Sequence, residues 1–438
     1  MSNVNKSWSG SHKILFRFFF LYFLIQIIPL DWKFYQLLFS IHWTQLYYGD
    51  IFLLAHYHPQ FIPGGGFYNW LLVAAIAATG TVIWTLRDRE RDAYDTLYYW
   101  LRVLVRYRLA AGVIAYGFIK LFPLQSPALS LSTLNTRYGE FTDWKVFSVS
   151  LGAAPLYESF LGFVEILAGL LLLWRKTASI GSFIIIAFAG NVFLSNIAYE
   201  GGEYEYAAYL LVMALFLFAY DAGRLYNLVQ GKPASPDTFR LQLPAAWQRR
   251  GRVILKTGFV LFFIVLYGAI TYEGYRHDPH NVVTTPGLPG AYGVYNVSLF
   301  RIGKDTLPYS QVDTTRWQDV IFEKWATLSI KSNRPVVIDS TNVEQIHRDD
   351  LSKTYESVGT NGRRYYAYSV DSAAQALVLK NKNPHYAGEQ LVLHYHWPTA
   401  SRLVLEGVNE NKDSIYVVLD RLDKKYLLVE GRRKPQTL

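Results

Sequence analysis

Long apolar segments fill the first 272 residues of the chain, whereas short alternations of apolar and polar residues fill the last 166. A helix needs roughly 20 mostly apolar residues to cross the hydrocarbon core of a bilayer. Seven segments have about that length, namely 14–30, 67–86, 97–122, 151–174, 177–198, 204–220 and 253–272. The pattern predicts an α-helical multi-pass membrane bundle followed by a soluble C-terminal domain.

The C-terminal 166 residues show the period of two that is typical of β-strands. The predicted strands are 292–302, 334–338, 363–370, 376–380, 390–397, 402–408, 414–419 and 425–430. One helix is predicted from Asp313 to about Leu328, because Trp317, Val320 and Ile321 follow helical spacing after a capping residue. We therefore expect a mainly antiparallel β domain, either a barrel or a sandwich, with one helix.

The distribution of basic residues orients the chain, because cytoplasmic loops collect Lys and Arg. Residues 1–272 carry a net charge of +7, against +2 for residues 273–438. The loops predicted to lie outside contain only Lys33, Arg137 and Lys145 before the C-terminal domain begins. The basic residues of the N-terminus and of the alternate loops are Lys6, Lys13, Arg17, Arg87, Arg89, Arg91, Arg175, Lys176, Arg224, Lys232, Arg240, Arg249, Arg250 and Arg252. The N-terminus is expected to be cytoplasmic and the C-terminal domain extracytoplasmic.

The amino-acid composition argues against disulfides, metal sites and nucleic-acid binding. The chain has no cysteine, which excludes disulfides and thiolate metal sites. Nucleic acid is not an expected partner, because the near-neutral C-terminal domain offers no basic face. The pairs His56/His58 and His394/His396 each lack a third ligand in sequence, so we predict ordinary surface or interface histidines rather than a metal site.

The first outside loop, 31–66, is rich in aromatic residues and is expected to form short helices on the membrane surface or over the bundle. The first apolar segment contains Arg17 and Gln26 and no small-residue cleavage site. We therefore expect a retained helix rather than a signal peptide.

Ionisable residues within predicted spans are costly and are usually paired or functional. Arg108 and Lys120 lie in the third segment, and Glu158 and Glu165 lie in the fourth. Because the two segments run in opposite directions, matched depths predict the pairs Arg108–Glu165 and Lys120–Glu158. Two alternatives follow: the pairs lock the bundle, or they line a polar cavity for a quinone headgroup, a lipid headgroup or an anion. Asn191 in the fifth segment either packs between helices or lines the same cavity.

Three short motifs in these segments resemble the DoxX-like membrane proteins. They are YRLAAG at 107–112, GFIKL at 117–121, and EILAGLLLL at 165–173 followed by Arg175. The resemblance covers roughly residues 97–228 and implies a four-helix membrane core there. The family name comes from a subunit of a thiosulfate:quinone oxidoreductase, so the resemblance implies a quinone or redox link. It also implies an extended bacterial variant in the cytoplasmic membrane.

These inferences divide the chain into five parts. Residues 1–96 hold the first two helices and the aromatic loop, 97–228 the DoxX-like core, 229–252 a cytoplasmic linker, 253–272 the seventh helix and 273–438 the β-rich domain. Two hypotheses remain open. The first is a non-enzymatic membrane module whose exterior domain binds or positions a protein partner, a lipid or a small ligand. The second is a redox-linked subunit that binds quinone near Arg108 and Glu165.

Overall fold

The computed structural model describes residues 8–233, 239, 241, 243–278, 283–342, 346, 353–409 and 411–430. Lys6 and Arg240, which contributed to the predicted orientation, lie outside these residues. The described residues form two compact units. The helical unit comprises those of Met1–Phe122, Ser159–Ala198 and Glu203–Tyr272, and the barrel unit those of Pro123–Glu158, Tyr199–Gly202 and Glu273–Leu438.

The α-helices of the described chain account for most of the first 276 residues. In order they are α1 Gly10–Ile27, α2 Trp32–Ser40, α3 Tyr48–Ala55, α4 Tyr68–Arg87, α5 Asp95–Leu121, α6 Leu131–Leu134, α7 Asp143–Gly152, α8 Pro155–Leu172, α9 Ala178–Ala198, α10 Tyr204–Val229, α11 Ala246–Val260, α12 Tyr267–Arg276 and α13 Leu427–Glu430. A π-helical turn, Leu261–Leu266, joins α11 to α12. Helix α8 begins at Pro155, four residues later than predicted, because proline is favoured in the first turn of a helix.

Six helical stretches of the described chain are long and apolar enough to cross a membrane, which makes this a multi-pass membrane protein. They are Gly10–Ser40, Tyr68–Arg87, Pro155–Leu172, Ala178–Ala198, Tyr204–Val229 and Ala246–Arg276. The remaining predicted span is α5, which is 27 residues long and contains Arg102, Arg106, Arg108 and Lys120. Its apolar positions are deeply buried: Leu101, Val105, Leu109 and Ile114 are fully covered. A seventh crossing by α5 stays a prediction.

The predicted aromatic loop 31–66 contains two short helices, as expected. Asp31 caps α2 by accepting a hydrogen bond from the Phe34 amide at 3.0 Å. Helix α3 is half buried, with Ile51 fully covered. The loop therefore packs as an ordered part of the helical unit.

The described residues of the C-terminal part form nine antiparallel strands. They are β1 Gly293–Ile302, β2 Asp305–Thr306, β3 Asp319–Phe322, β4 Thr327–Lys331, β5 Arg363–Asp371, β6 Ala376–Asn381, β7 Gln390–Thr399, β8 Arg402–Val408 and β9 Ser414–Leu422. Eight of the described strands close a barrel in the order β1-β3-β4-β5-β6-β7-β8-β9, and β9 pairs back with β1. Strand β2 extends β1 as a short hairpin.

Apolar side chains fill the barrel interior. Tyr295, Leu328, Leu377, Leu403 and Val417 are all fully buried there. The alternation predicted for β7 is confirmed, since Leu391 and Leu393 point into this core while Val392 between them is exposed. The barrel is therefore packed with its own side chains, as in small closed barrels.

Three predicted elements of the C-terminal domain were wrong. The helix from Asp313 to Leu328 is replaced by β3 and β4, which pair Asp319 with Lys331. Asp313 accepts hydrogen bonds from the amides of Thr315 and Arg316, but these bonds close a turn and no helix follows. Segment 334–338 is irregular, and 425–430 ends in the short helix α13. Apolar residues such as Val320 and Ile321 are compatible with the spacing of a helix and with that of a strand over so short a segment. Here the strand forms, because β-branched side chains pack well in the buried interior of a sheet.

Candidate functional site

A buried ion pair joins α5 to α8 inside the helical unit. Lys120 Nζ lies 2.5 Å from Glu165 Oε1, and the two residues are 9% and 7% exposed. Glycine permits the close approach of the two helices: a Cβ added to Gly162 would lie 2.3 Å from the Leu121 nitrogen and 2.5 Å from the Gly117 oxygen. Backbone-to-backbone contact of this kind is typical of small residues at membrane helix interfaces.

The predicted pairing partners of these charges were wrong. Glu165 pairs with Lys120, whereas Arg108 donates to the carbonyl oxygens of Ala55, at 2.7 Å, and of Tyr57. Ala55 is the last residue of α3, so Arg108 satisfies a carbonyl at the negative end of a helix dipole. The prediction compared only the depths of charged residues in two helices. It could not show that the carbonyl acceptors would come from the end of α3, in the aromatic loop.

The other two predicted site residues, Glu158 and Asn191, have different hydrogen-bond partners. Glu158 is buried in the barrel unit and accepts a hydrogen bond from the Ser126 amide at 3.0 Å. Asn191 is exposed on α9, where its carbonyl accepts a hydrogen bond from Ser195. Asn196, one turn further on, instead accepts from the Glu203 amide at 3.1 Å.

A polar network that the sequence analysis missed surrounds Glu203. Glu203 Oε2 lies 2.8 Å from His56 Nε2 and accepts a hydrogen bond from the Tyr116 hydroxyl at 2.9 Å. The His56 ring lies 4.0 Å from the Tyr206 ring, centroid to centroid, and the Tyr206 hydroxyl donates to Ala55 O at 3.0 Å. The network thus shares the Ala55 carbonyl with Arg108.

His58 completes this region of the helical unit. Burial, and then the neighbouring His56, lower the pKa of His58 to about 4, so its imidazole is neutral at physiological pH. The prediction of ordinary histidines did not include these buried contacts, because His56 and its partner Glu203 are 147 residues apart in sequence. The one feature of the sequence that indicated a polar site in this region was Arg108, because a charge in an apolar helix is energetically costly.

A second set of buried polar contacts lies in the barrel unit, between the connection 123–158 and the strands and loops of the C-terminal barrel. We call it the seam. Glu323 accepts hydrogen bonds from the Leu131 amide at 3.2 Å, the Ser132 amide at 2.8 Å and the Ser132 hydroxyl at 2.7 Å. The Ser132 hydroxyl also lies 2.8 Å from that of Ser329. Burial raises the pKa of Glu323, and the bonds from Ser132 and Leu131 oppose the rise.

Lys145 of α7 anchors the other end of the seam. Its side chain is fully buried, its ammonium donates to the Tyr355 carbonyl, and it lies 3.7 Å from the centre of the Tyr355 ring. Burial lowers the pKa of Lys145 to about 7. Gly359 makes room for this contact, because a Cβ there would lie 2.9 Å from the Lys145 Cβ.

Backbone hydrogen bonds join the two sides of the seam at its middle. Phe141 pairs with Thr360 as an isolated β-bridge, and the Thr142 amide donates to Gly359 O at 2.9 Å. Lys331 of β4 lies 3.1 Å from Glu140. The connection that the sequence analysis assigned to the four-helix core is thus built into the barrel unit.

Chemically, the two sets of contacts differ. Those of the seam satisfy buried donors and acceptors within one unit, as expected of structural contacts. The network around Glu203 brings together a histidine, a tyrosine and a carboxylate with an arginine nearby, which are groups able to exchange protons or hydrogen-bond a carbonyl ligand. Within the described part of the chain, no group of three or more His, Asp or Glu side chains is placed to hold a metal ion.

No family model matches the chain, and no solved structure matches it. Over 82 residues the chain is 34% identical to a Bacillus subtilis (strain 168) protein named uncharacterized protein YwoB. This stretch is 19% of the chain and 53% of that relative, so the chain spans about half the length of the relative it matches. The relative's name states no activity, and the resemblance to DoxX-like proteins stays a prediction.

Proposed function

We propose that this chain is a non-enzymatic module of the bacterial cytoplasmic membrane, whose barrel unit lies outside the cytoplasm and binds or positions a ligand or partner. The observation that carries the proposal is the composition of the barrel unit. It includes 123–158 and 199–202 as well as the C-terminal residues. Three separate stretches of chain thus contribute to one compact unit.

This composition supports the predicted topology. The candidate spans Pro155–Leu172 and Ala178–Ala198 separate the first stretch from the second, and Tyr204–Val229 and Ala246–Arg276 separate the second from the third. Two crossings return a chain to the side from which it left. All three stretches can therefore lie on one side, and the paucity of Lys and Arg in the first two favours the outside.

The packed barrel interior directs binding to the outer surface of this unit. Proteins whose barrels carry a ligand inside need an interior wide enough to leave space, and here Tyr295, Leu377 and Leu403 fill it. The helices then anchor the barrel unit in the membrane, and the Lys120–Glu165 ion pair joins two of them.

Site-specific photo-crosslinking in living cells tests this function. A photoreactive residue would replace Val312 or Val337, which are 86% and 52% exposed on the barrel unit. Matched controls would replace Ile180 and Leu194, which are exposed on the apolar helix α9. We expect discrete adducts from the barrel positions and lipid adducts alone from the helix positions. Adducts confined to α9 would contradict the proposal.

A quinone-binding role is the second candidate. The network around Glu203 favours it, because His56 and Tyr116 are hydrogen-bonding groups of the type that hold quinone carbonyls, and Arg108 lies beside them through Ala55. Organic extraction of the purified protein, followed by mass spectrometry, tests this role. Stoichiometric quinone that is lost in Tyr116→Phe would favour it over the first candidate, and quinone-free protein would count against it.

A further inference from the structure

Consecutive apolar side chains are exposed near the C-terminal end of the barrel unit. Leu427, Leu428 and Val429 of α13 are 65%, 70% and 56% exposed. A run of exposed apolar residues is unusual on a compact unit and is typical of a surface that another apolar phase covers. We call residues 424–438 the C-terminal segment, and its apolar part is α13.

The start of the C-terminal segment is attached to the barrel unit. Lys424 Nζ donates to Asn135 Oδ1 at 2.7 Å, and Asn135 Nδ2 donates to the Tyr426 hydroxyl at 2.6 Å. Asn135 belongs to the connection 123–158, where its Nδ2 also donates to the Leu131 carbonyl at 2.6 Å. The exposed apolar residues therefore extend from a point that is hydrogen-bonded to the rest of the unit.

Basic residues flank the apolar part of the segment. Five of the fifteen residues of the segment are Lys or Arg and one is Glu, so its net charge is +4. The basic residues are Lys424, Lys425, Arg432, Arg433 and Lys434. Apolar residues between basic ones match the surface of an anionic bilayer, where acyl chains accept the former and lipid phosphates attract the latter. A second copy of the segment would bring a like charge, which disfavours self-association.

The course of the chain keeps the segment close to a bilayer. The chain passes between the helical unit and the barrel unit five times, after Phe122, Glu158, Ala198, Gly202 and Tyr272. Four of these junctions lie within or next to candidate membrane spans. Attachment of this kind gives the bilayer a high effective concentration around the barrel unit. A short apolar stretch, which would bind a membrane only weakly from solution, is then sufficient.

We propose that the C-terminal segment binds the surface of an anionic bilayer and holds the barrel unit against the membrane. Leu427, Leu428 and Val429 enter the boundary between headgroups and acyl chains, and the flanking Lys and Arg side chains contact lipid phosphates. This attachment is additional to the membrane spans and goes beyond the proposed function. It requires a barrel unit tethered to a membrane on either side, so a barrel unit found inside the cytoplasm would leave it standing.

Fluorescence of the full-length protein, at one copy per nanodisc, tests this attachment. The chain has no cysteine, so Leu428→Cys provides a single site for an NBD label. Val312→Cys is the matched control, because Val312 is also apolar and exposed on the barrel unit. The discs contain phosphatidylglycerol and phosphatidylcholine. We expect lipids with a nitroxide on the acyl chain to quench the label at 428 at least about twofold more than the label at 312. Equal quenching at the two positions would overturn the proposal.

Changes of charge test whether anionic lipid is the occupant. One variant replaces three basic residues of the segment with Gln, namely Arg432, Arg433 and Lys434. The matched control replaces three exposed lysines elsewhere on the barrel unit with Gln, namely Lys304, Lys380 and Lys412. Quenching at 428 should fall at least about twofold in the first variant, and likewise in discs of phosphatidylcholine alone, but not in the control variant. Quenching that is indifferent to both the variant and the lipid would contradict binding to an anionic surface.

The same label distinguishes a bilayer from a protein surface as the occupant. Lipid contact shifts the NBD emission to the blue and adds quenching by nitroxide lipids, and we expect both at 428. A blue shift without lipid quenching would place the segment on the protein itself. A blue shift that arises only in discs with two copies would place it on a second chain. Either result would overturn the proposal.

Discussion

Replacing Lys145 with Met should change how the stability of the barrel unit depends on pH. Lys145 is fully buried, and burial lowers its pKa from 10.5 to about 7. Below pH 7 the amine is protonated in both the folded and the unfolded chain, and the folded state bears the full penalty of a buried charge. Above pH 7 the folded state loses the proton while the unfolded state keeps it up to about pH 10.5. The stability of the native protein should therefore rise with pH through this window.

The magnitude follows from the difference between the two pKa values. Burial lowers the pKa of Lys145 from 10.5 to about 7, and each pKa unit corresponds to about 1.4 kcal/mol, so the whole penalty is about 5 kcal/mol. Between pH 7 and pH 9.5 the native protein should gain about 3 kcal/mol relative to Lys145→Met. The variant also loses the bond to the Tyr355 carbonyl, but that loss shifts the comparison by a constant and leaves its slope with pH unchanged.

The assay is thiol labelling of a buried reporter cysteine. The chain has no cysteine, so Ala376→Cys, at a position 6% exposed in the barrel, provides a single site that reacts only when the unit opens. The exposed variant Ser401→Cys corrects for the reactivity of the thiolate at each pH. Lys304→Met, at an exposed lysine, is the matched control and should keep the native slope. Parallel pH profiles for Lys145→Met and the native protein would show that burial does not lower the pKa of Lys145 in the folded protein.

Three further substitutions, the first with a matched control, test the packing within each of the two units by thermal unfolding. Gly162→Ala should destabilise the helical unit by about 1–3 kcal/mol or more, since its Cβ would lie 2.3 Å from backbone, whereas Gly190→Ala, with open space around it, should be neutral or slightly stabilising. Glu165→Gln should cost about 3–5 kcal/mol, because it leaves Lys120 buried without its counter-charge; an unchanged melting temperature would show that the pair is not buried in the native protein. Ser132→Ala should cost about 1–3 kcal/mol in the barrel unit, and no effect would argue against the seam.

The alternation of residues predicted much of the barrel, because one face of each strand must be buried. The bounds of β8 match the predicted strand 402–408, and β7 places Leu391 and Leu393 inside as expected. Strands β3 and β4 were missed because four and five residues are too few to distinguish strand from helix by period alone.

Long-range polar contacts were beyond the reach of sequence patterns. Arg108 and Lys120 were identified as costly charges from their position in an apolar segment. Their partners depend on helix rotation and on where α3 ends, which periodicity does not specify. The seam was equally hidden, because Ser132 and Glu323 are ordinary polar residues until the fold brings them together across 191 positions.

The most direct test of the account is the sidedness of the barrel unit. Single cysteines would be introduced at Gly139 and Ser401 of the barrel unit, and at Glu90 and Lys176 in predicted cytoplasmic loops; Gly139 has open space around it, and the other three are exposed. We expect a membrane-impermeant maleimide to label the first two in intact spheroplasts and the last two only after permeabilisation. Labelling of Gly139→Cys and Ser401→Cys on opposite sides, or of both only after permeabilisation, would contradict an exterior unit built from both parts of the chain.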